Sequence, residues 1–239
     1  MIYVSSDWHG CPLQKIKDLL DKAGFSDDDF LFVLGDVIDR GEHSAELLKF
    51  LMYAPNIQLI RGNHEQMMLS CRWVFGEITE DSIGDVSPTA LKLLGTWQFN
   101  GGNSTLASLR RLPPDERADI LEFIEETPLY DTVRVGDKKF LLVHGGLDNY
   151  SPDKRIDEYT ANELLWARPI PDDRYSEKFM TIVGHTPTGY YGSEHRGRIF
   201  KTDTWMNIDT GAASGGDPCL VRLDDMEEFY LCLPPPSWP

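Results

Sequence analysis

A chain of 239 residues with 41% apolar and 26% charged side chains is long enough for a sizeable core, and its balance excludes a disordered or fibrous chain. With 39 acidic against 23 basic residues the formal charge is −16, which argues against broad contact with a nucleic-acid backbone or an anionic membrane. A phosphorylated substrate stays open, because a few arginines or bound cations reverse the field locally.

The start, Met1 to Asp7, has neither a basic leader nor a long apolar run, and no stretch approaches the roughly 18 consecutive apolar residues of a membrane span. Cys11, Cys71, Cys219 and Cys232 are scattered, without the close pairing of a zinc site, and read as free thiols of a cytoplasmic protein. Ile2–Ser5 reads as a strand, about Pro12 to Ala23 as a helix, and the continuous apolar run Phe30–Leu34 as a strand buried on both faces. A helix from about Ser44 to Tyr53 and a strand at Ile57–Ile60 complete a βαβαβ pattern, which predicts parallel strands.

From about residue 66 to 127 the pattern changes to helical pieces (Gln66–Phe75, Thr89–Leu94, Asp115–Glu126) separated by Gly- and Pro-containing breaks. This predicts a mostly helical insertion. Strands return at Asp131–Val135 and Lys138–Val143 around a tight turn at Gly136-Asp137. More follow at Lys178–Val183, Ile199–Lys201, Met206–Ile208, Leu220–Leu223 and Phe229–Leu233, with one helix near Tyr159–Trp166 and a loose tail at Pro234-Pro235-Pro236. The expectation is an α/β chain forming one domain over 1–239, with two mixed β-sheets flanked by helices.

Every early strand ends in a polar cluster: Asp7-Trp8-His9-Gly10, Gly35-Asp36-Val37-Ile38-Asp39-Arg40-Gly41, and Arg61-Gly62-Asn63-His64-Glu65. Parallel strands place all three at one carboxyl edge of the sheet, where open α/β proteins carry their sites. Downstream, His144-Gly145-Gly146 and Gly184-His185-Thr186-Pro187 again put a histidine directly after an apolar strand. Asp7, His9, Asp36, Asn63, His144 and His185 offer carboxylate, imidazole and amide ligands without a thiolate, a set that suits Mn²⁺, Fe or Zn²⁺. Six protein ligands are too many for one ion that keeps an open position. Two ions sharing Asp36 fit better.

In order and type these motifs (D-x-H-G, G-D-x-x-D-R-G, G-N-H-E, H-G-G and G-H-T-P) resemble those of the phosphoprotein phosphatases, in particular the compact bacterial and phage serine/threonine phosphatases. Ile208-Asp209-Thr210-Gly211-Ala212 looks like a further family segment. The resemblance implies a calcineurin-like metallophosphoesterase sandwich and a dinuclear centre, with Mn²⁺ the first choice. One ion would be held by Asp7, His9 and Asp36, the other by Asp36, Asn63, His144 and His185. It implies direct attack on phosphorus by a hydroxide held between the ions, with His64 as the general acid and Asp39 holding its tautomer. Arg40, Arg61 and Arg168 would clamp phosphate oxygens, Arg168 on the loosest alignment of the three.

The other conspicuous residues have plainer readings. His43 and His195 lie outside the strand-end pattern, Met67-Met68-Leu69 reads as a helix face in the core, and Asp27-Asp28-Asp29 as a solvated loop or cap. Asn100-Gly101-Gly102-Asn103 is either a turn or a small polar loop at the substrate entrance. The leading expectation is a phosphatase acting on phosphoserine or phosphothreonine, with phosphotyrosine a possible extension, and a phosphoprotein or phosphopeptide as partner. The alternatives are a symmetrical dinucleoside polyphosphate hydrolase and a non-catalytic scaffold on the same fold. The excess of negative charge argues against an extended polyphosphate track, and the intact ligand set argues against the scaffold.

Overall fold

In the computed structural model, which describes residues 1–76 and 86–232, Phe30–Leu34 (β2) lies between Ile2–Ser5 (β1) and Ile57–Ile60 (β3), parallel to both. Two antiparallel strands extend this sheet beyond β1, Cys219–Arg222 (β9) and then Glu227–Tyr230 (β10). The second sheet contains Tyr130–Val135 (β4), Lys138–Val143 (β5), Met180–Val183 (β6), Phe200–Lys201 (β7) and Trp205–Asn207 (β8), in the order β4-β5-β6-β8-β7. Both sheets mix parallel and antiparallel pairs.

The period-2 direction of strand side chains explains the layering. Phe32 and Leu34 of β2 face Phe140 and Leu142 of β5 in the core between the sheets, whereas Leu31 and Val33 pack beneath two helices on the outer face. Those helices are Leu13–Ala23 (α1), ended by Gly24 at φ +69°, and Ser44–Tyr53 (α2). On the other outer face, Leu141 and Val143 of β5 pack with Leu147, Tyr159 and Leu164. Leu164 belongs to the short helix Ala161–Leu165 (α7), which Thr160 and Glu163 cap reciprocally.

Between β3 and β4 the described residues are mostly helical: Asn63–Ser70 (α3), a 3₁₀ turn at Arg72–Phe75, then Pro88–Phe99 (α4), Gly102–Arg110 (α5) and Pro114–Glu125 (α6). Their shared core joins Met67 and Met68 to Trp97, Leu109, Ile120 and Ile124, and also to Ile38 and Leu48 of the sheet side. Helix α4 runs five residues past its expected end, and α5 begins inside the Gly101-Gly102 pair that reads as a loop. The Pro234-Pro235-Pro236 tail and the end of the last expected strand lie outside the described residues. No helix among those described is long and apolar enough to cross a membrane.

Candidate active site

The turns after β1, β2 and β6 hold their ligand-type residues in strained backbone. Of the eight non-glycine residues with positive φ among those described, six are Asp7, His9, Asp36, Asp39, Arg40 and His185. Such conformations cost free energy and persist where surroundings enforce them. Here the enforcement is a lattice of hydrogen bonds between neighbouring turns. Asp7 N donates to Gly35 O at 3.0 Å, His9 N to Asp36 O at 2.9 Å, and Gly10 N to Val37 O at 2.8 Å. The buried Glu65 carboxylate accepts from Asp36 N (2.8 Å), Val37 N (2.9 Å) and Gly62 N (2.9 Å), tying the β2 and β3 turns together. Gly62 permits this closeness, because a Cβ there would stand 2.3 Å from Asp36 Oδ1.

Six ligand-type side chains, all buried, converge inside this lattice. His9 Nε2 lies 3.8 Å from Asp7 Oδ1 and 3.7 Å from Asp36 Oδ2. On the other side of Asp36, His144 Nε2 is 3.3 Å from Oδ1. The Asn63 amide oxygen meets His144 Nε2 and His185 Nδ1 at 2.9 Å each, and the Asp36 oxygens at 3.1 and 3.3 Å. Carboxylate oxygens, an amide and imidazole nitrogens converging this closely are the donor types a divalent metal takes, so the set fits one. Asp36, His144 and His185 form one group whose ligand atoms lie within 4.8 Å of one another, and His9, Asp36 and His64 form a second. Asp36 belongs to both groups, and the second contains His64, expected as the acid, in place of the expected ligand Asp7.

The electrostatics carry the same signature. Burial, together with the nearby Asp209 and Asp36, holds the Asp7 carboxyl well above the usual range. Burial lowers His9 to about 3 and, with His144 adjacent, His185 to about 2, so both rings are neutral and able to ligate. Burial also opposes a charged His144, yet the Asp36 carboxylate outweighs it and raises the ring to about 10. His144 Nδ1 faces Leu34 O at 2.6 Å, which leaves Nε2 directed into the cluster.

His64 stands next to the cluster in a different posture. Its Nδ1 is 2.6 Å from Asp39 Oδ2, and its Nε2 lies 3.4 Å from Arg40 Nη2 and 3.7 Å from Asp36 Oδ2. Burial disfavours a charged His64, but Asp36 and the Asp39 hydrogen bond overcome it and raise the pKa. Arg168 reaches the cluster from the other side, where Nη1 donates to Thr186 Oγ1 at 3.0 Å.

Arg61 departs from expectation. Its guanidinium donates to Thr127 Oγ1, Gln66 Oε1, Glu125 O and Thr127 O, so it braces the end of the helical segment instead of turning to a phosphate. The Asn100 to Asn103 segment also proves to be more than a turn. Gly101 O accepts from Arg40 N at 3.1 Å, and a Cβ on Gly101 would stand 2.7 Å from Arg40 Cγ. The helical segment further supplies Trp97 and Thr105, which bond the Asp39 carboxylate, and sequence reasoning missed both. It also assigned no role to Asp209, a buried carboxyl raised to about 6 by burial despite a hydrogen bond from Gly211 N.

Comparison with known proteins places this geometry. The profile of the family described as calcineurin-like phosphoesterase matches residues 1–208. A protein of Halalkalibacterium halodurans named bis(5′-nucleosyl)-tetraphosphatase [asymmetrical] is 24% identical over 97% of this chain and 92% of its own length. Serine/threonine-protein phosphatase 2 of Salmonella typhimurium is 28% identical over 93% of this chain and 92% of its own. The solved serine/threonine phosphatase from Saccharomyces cerevisiae with similarity to human phosphatase PP5 superposes with a TM-score of 0.60 at 18% identity, covering 98% of this chain and 81% of that one.

Proposed function

The chain belongs to the calcineurin-like phosphoesterase family, and on that premise we propose that it is a metal-dependent hydrolase of dinucleoside polyphosphates. This moves the weight from the phosphoprotein expectation to its alternative. The observation that carries the reading is an aromatic surface beside an arginine next to the ligand cluster. Trp166 is 39% exposed, and its ring meets the His185 ring edge-on at 5.7 Å between centroids. Two residues on, Arg168 is anchored by Thr186. A nucleobase stacked on Trp166 with its phosphates passing Arg168 is the recognition such a pair supports. On the insertion side Phe99 is 93% exposed, two residues before the Gly101 that bonds Arg40, and offers a second platform. The relative named for tetraphosphatase activity supports the same direction.

In this reading Asp7, His9 and Asp36 hold one divalent ion and Asp36, Asn63, His144 and His185 the other, Mn²⁺ being the first choice. When bound, such ions supply Lewis acidity toward phosphoryl oxygens and acidify water. The chain's own residues do the rest. Arg40 and Arg168 grip non-bridging oxygens and align the phosphoryl group. His64, held through Nδ1 by Asp39, presents its Nε2 proton to the departing oxygen.

A second reading, hydrolysis of phosphoserine and phosphothreonine, keeps support from the Salmonella relative. A panel with Mn²⁺ separates the two. The expected result is a higher kcat/KM for diadenosine tetraphosphate than for phosphoserine peptides, and a raised KM for the dinucleotide alone in Trp166→Ala. Products of AMP and ATP indicate asymmetrical cleavage, two ADP symmetrical cleavage. A tenfold preference for the peptides overturns the proposal in favour of the second reading, and metal-independent or absent hydrolysis of both overturns it outright.

A further inference from the structure

The Asp39 carboxylate is wholly buried and has more donors than a histidine partner needs. Oδ2 accepts from His64 Nδ1 at 2.6 Å and from Trp97 Nε1 at 2.9 Å, while Oδ1 accepts from Thr105 Oγ1 at 2.6 Å. The Thr105 hydroxyl also accepts from Asp39 N at 2.8 Å and lies 2.9 Å from Ser44 Oγ. We propose that Trp97 and Thr105 are positioning residues for the leaving-group proton: the helical segment fixes the Asp39 carboxylate from behind, and so fixes the ring of His64. The proposal rests on the reading of His64 as the acid and is independent of which phosphate ester is the substrate.

The geometry leaves each donor one target. An indole N–H has a single proton, and the Trp97 ring cannot swing to spend it elsewhere. It is fully buried, lies against the Gly102 backbone so closely that a Cβ there would stand 2.5 Å from Cε2, and meets Phe75 edge-on. A threonine hydroxyl likewise donates once, and that proton goes to Oδ1. With both oxygens held, the carboxylate plane cannot rotate, and the Oδ2 lone pair stays on the His64 Nδ1–H. The other ring nitrogen then stays toward Arg40 and Asp36, where a departing oxygen is met. The Gly101-Gly102 turn makes the arrangement possible. It joins α4 to α5 with Gly101 at φ +103°, and Trp97 and Thr105, eight residues apart, reach the same carboxylate from the two helices.

A merely structural role, docking the helical segment on the Asp39 turn, predicts lost stability without selective loss of chemistry. The experiment compares Trp97→Phe, Thr105→Val and Thr105→Ser with the wild type on aryl phosphates of graded leaving-group pKa, with Mn²⁺. For the poorest leaving group we expect kcat to fall about tenfold in the first two variants, the range for groups that orient a catalytic side chain. The p-nitrophenyl ester should be nearly unaffected, KM and metal content unchanged, and Thr105→Ser should recover most of the loss. A readout without turnover accompanies it: in the metal-free protein, the His64 Nδ1–H proton resonance, assigned by its absence in His64→Asn, should move in Trp97→Phe and Thr105→Val and return in Thr105→Ser. Equal losses for good and poor leaving groups, or an unmoved resonance, overturn the proposal. Should Thr105→Val fail to fold, Trp97→Phe, which keeps the ring packing, decides alone. A wild type inactive on every aryl ester but active on diadenosine tetraphosphate keeps the assignment of function, one inactive on both refutes it, and the resonance tests the positioning in either case.

Discussion

The loops that follow β1, β2 and β3 and the helical segment between β3 and β4 build adjoining walls of one site by different means. The loops hold their groups by backbone: positive φ at Asp7, His9, Asp36 and Asp39, with amide-to-carbonyl bonds from one turn to the next. The helical segment acts through side chains, with the Trp97 indole and the Thr105 hydroxyl buried against Asp39. Backbone-held loops tolerate only the residue types whose chemistry is in use. A packed wall needs only shape and one donor in the right place, so its functional residues look like ordinary core. Substitutions in the first region should therefore remove activity, and those in the second should tune it.

The sharpest break is expected at Asp36, the carboxylate common to both ligand groups. Asp36→Asn should bind fewer than two equivalents of metal and lose more activity than a change at any terminal ligand, such as Asp7 or His185. Metal analysis alongside turnover checks this, and two tightly held ions with a near-normal rate would exclude the shared ligand. Next in size is His64→Asn. It should lower kcat by roughly 10²–10⁴-fold, the usual contribution of a general acid, with metal content intact. The loss should shrink as the leaving group improves.

The difference between the two walls also explains what the sequence makes legible. Asp7, His9, Asp36, Asn63, His144 and His185 each follow an apolar strand, and few side-chain types serve as metal ligands, so spacing and type single them out as candidates. The parallel β1-β2-β3 order was legible for a related reason, since short crossovers leave few topologies. The attachment of β9 and β10 to β1 depends on pairings more than two hundred residues apart, such as Tyr3 with Arg222, and no local pattern encodes it. Trp97 and Thr105 were invisible because a tryptophan and a threonine in a helical region carry no chemical signature until their partner is known. Arg61 misled in the opposite way. It sits beside Gly62 and Asn63 in sequence, but its side chain reaches Thr127 and Glu125.

A third prediction concerns the ligand cluster's own charge. The His144 ring is raised from 6.5 to about 10 because the Asp36 carboxylate outweighs the cost of burying its charge, so the metal-free protein carries a proton there at neutral pH. Ligation through Nε2 must displace that proton. Apparent metal affinity should therefore rise between pH 7 and pH 9 by about tenfold per unit for each proton released. Stability of the metal-free protein should run the other way. A folded pKa above the unfolded value contributes stability that is complete below pH 6.5 and lost as the pH climbs through about 10. Calorimetric titrations in buffers of different protonation enthalpy, with melts in the presence and absence of Mn²⁺, check both slopes, and metal uptake without proton release would contradict them.

The smallest expected effect falls where the two walls meet. Arg61 leaves the end of β3 and spends its guanidinium on Thr127 Oγ1, Gln66 Oε1 and the carbonyls of Glu125 and Thr127, just past the end of α6. Its own amide donates to Pro128 O at 2.8 Å, so the side chain strengthens a junction that the backbone already makes. The Arg61→Ala variant removes only the side-chain bonds. The exposed Glu125 carbonyl left behind can bind water, which keeps the cost near about 1–2 kcal/mol, the low end for bonds from a charged donor. Because the guanidinium does not face the ligand cluster, KM for phosphate esters should change less than about twofold, the span of ordinary context effects for a group outside the site. Thermal melts and steady-state kinetics of the same preparation measure the two quantities together. A lowered melting temperature with unchanged KM assigns Arg61 to the junction. A KM raised tenfold at unchanged stability would return it to the phosphate-binding set and move the boundary between the two walls.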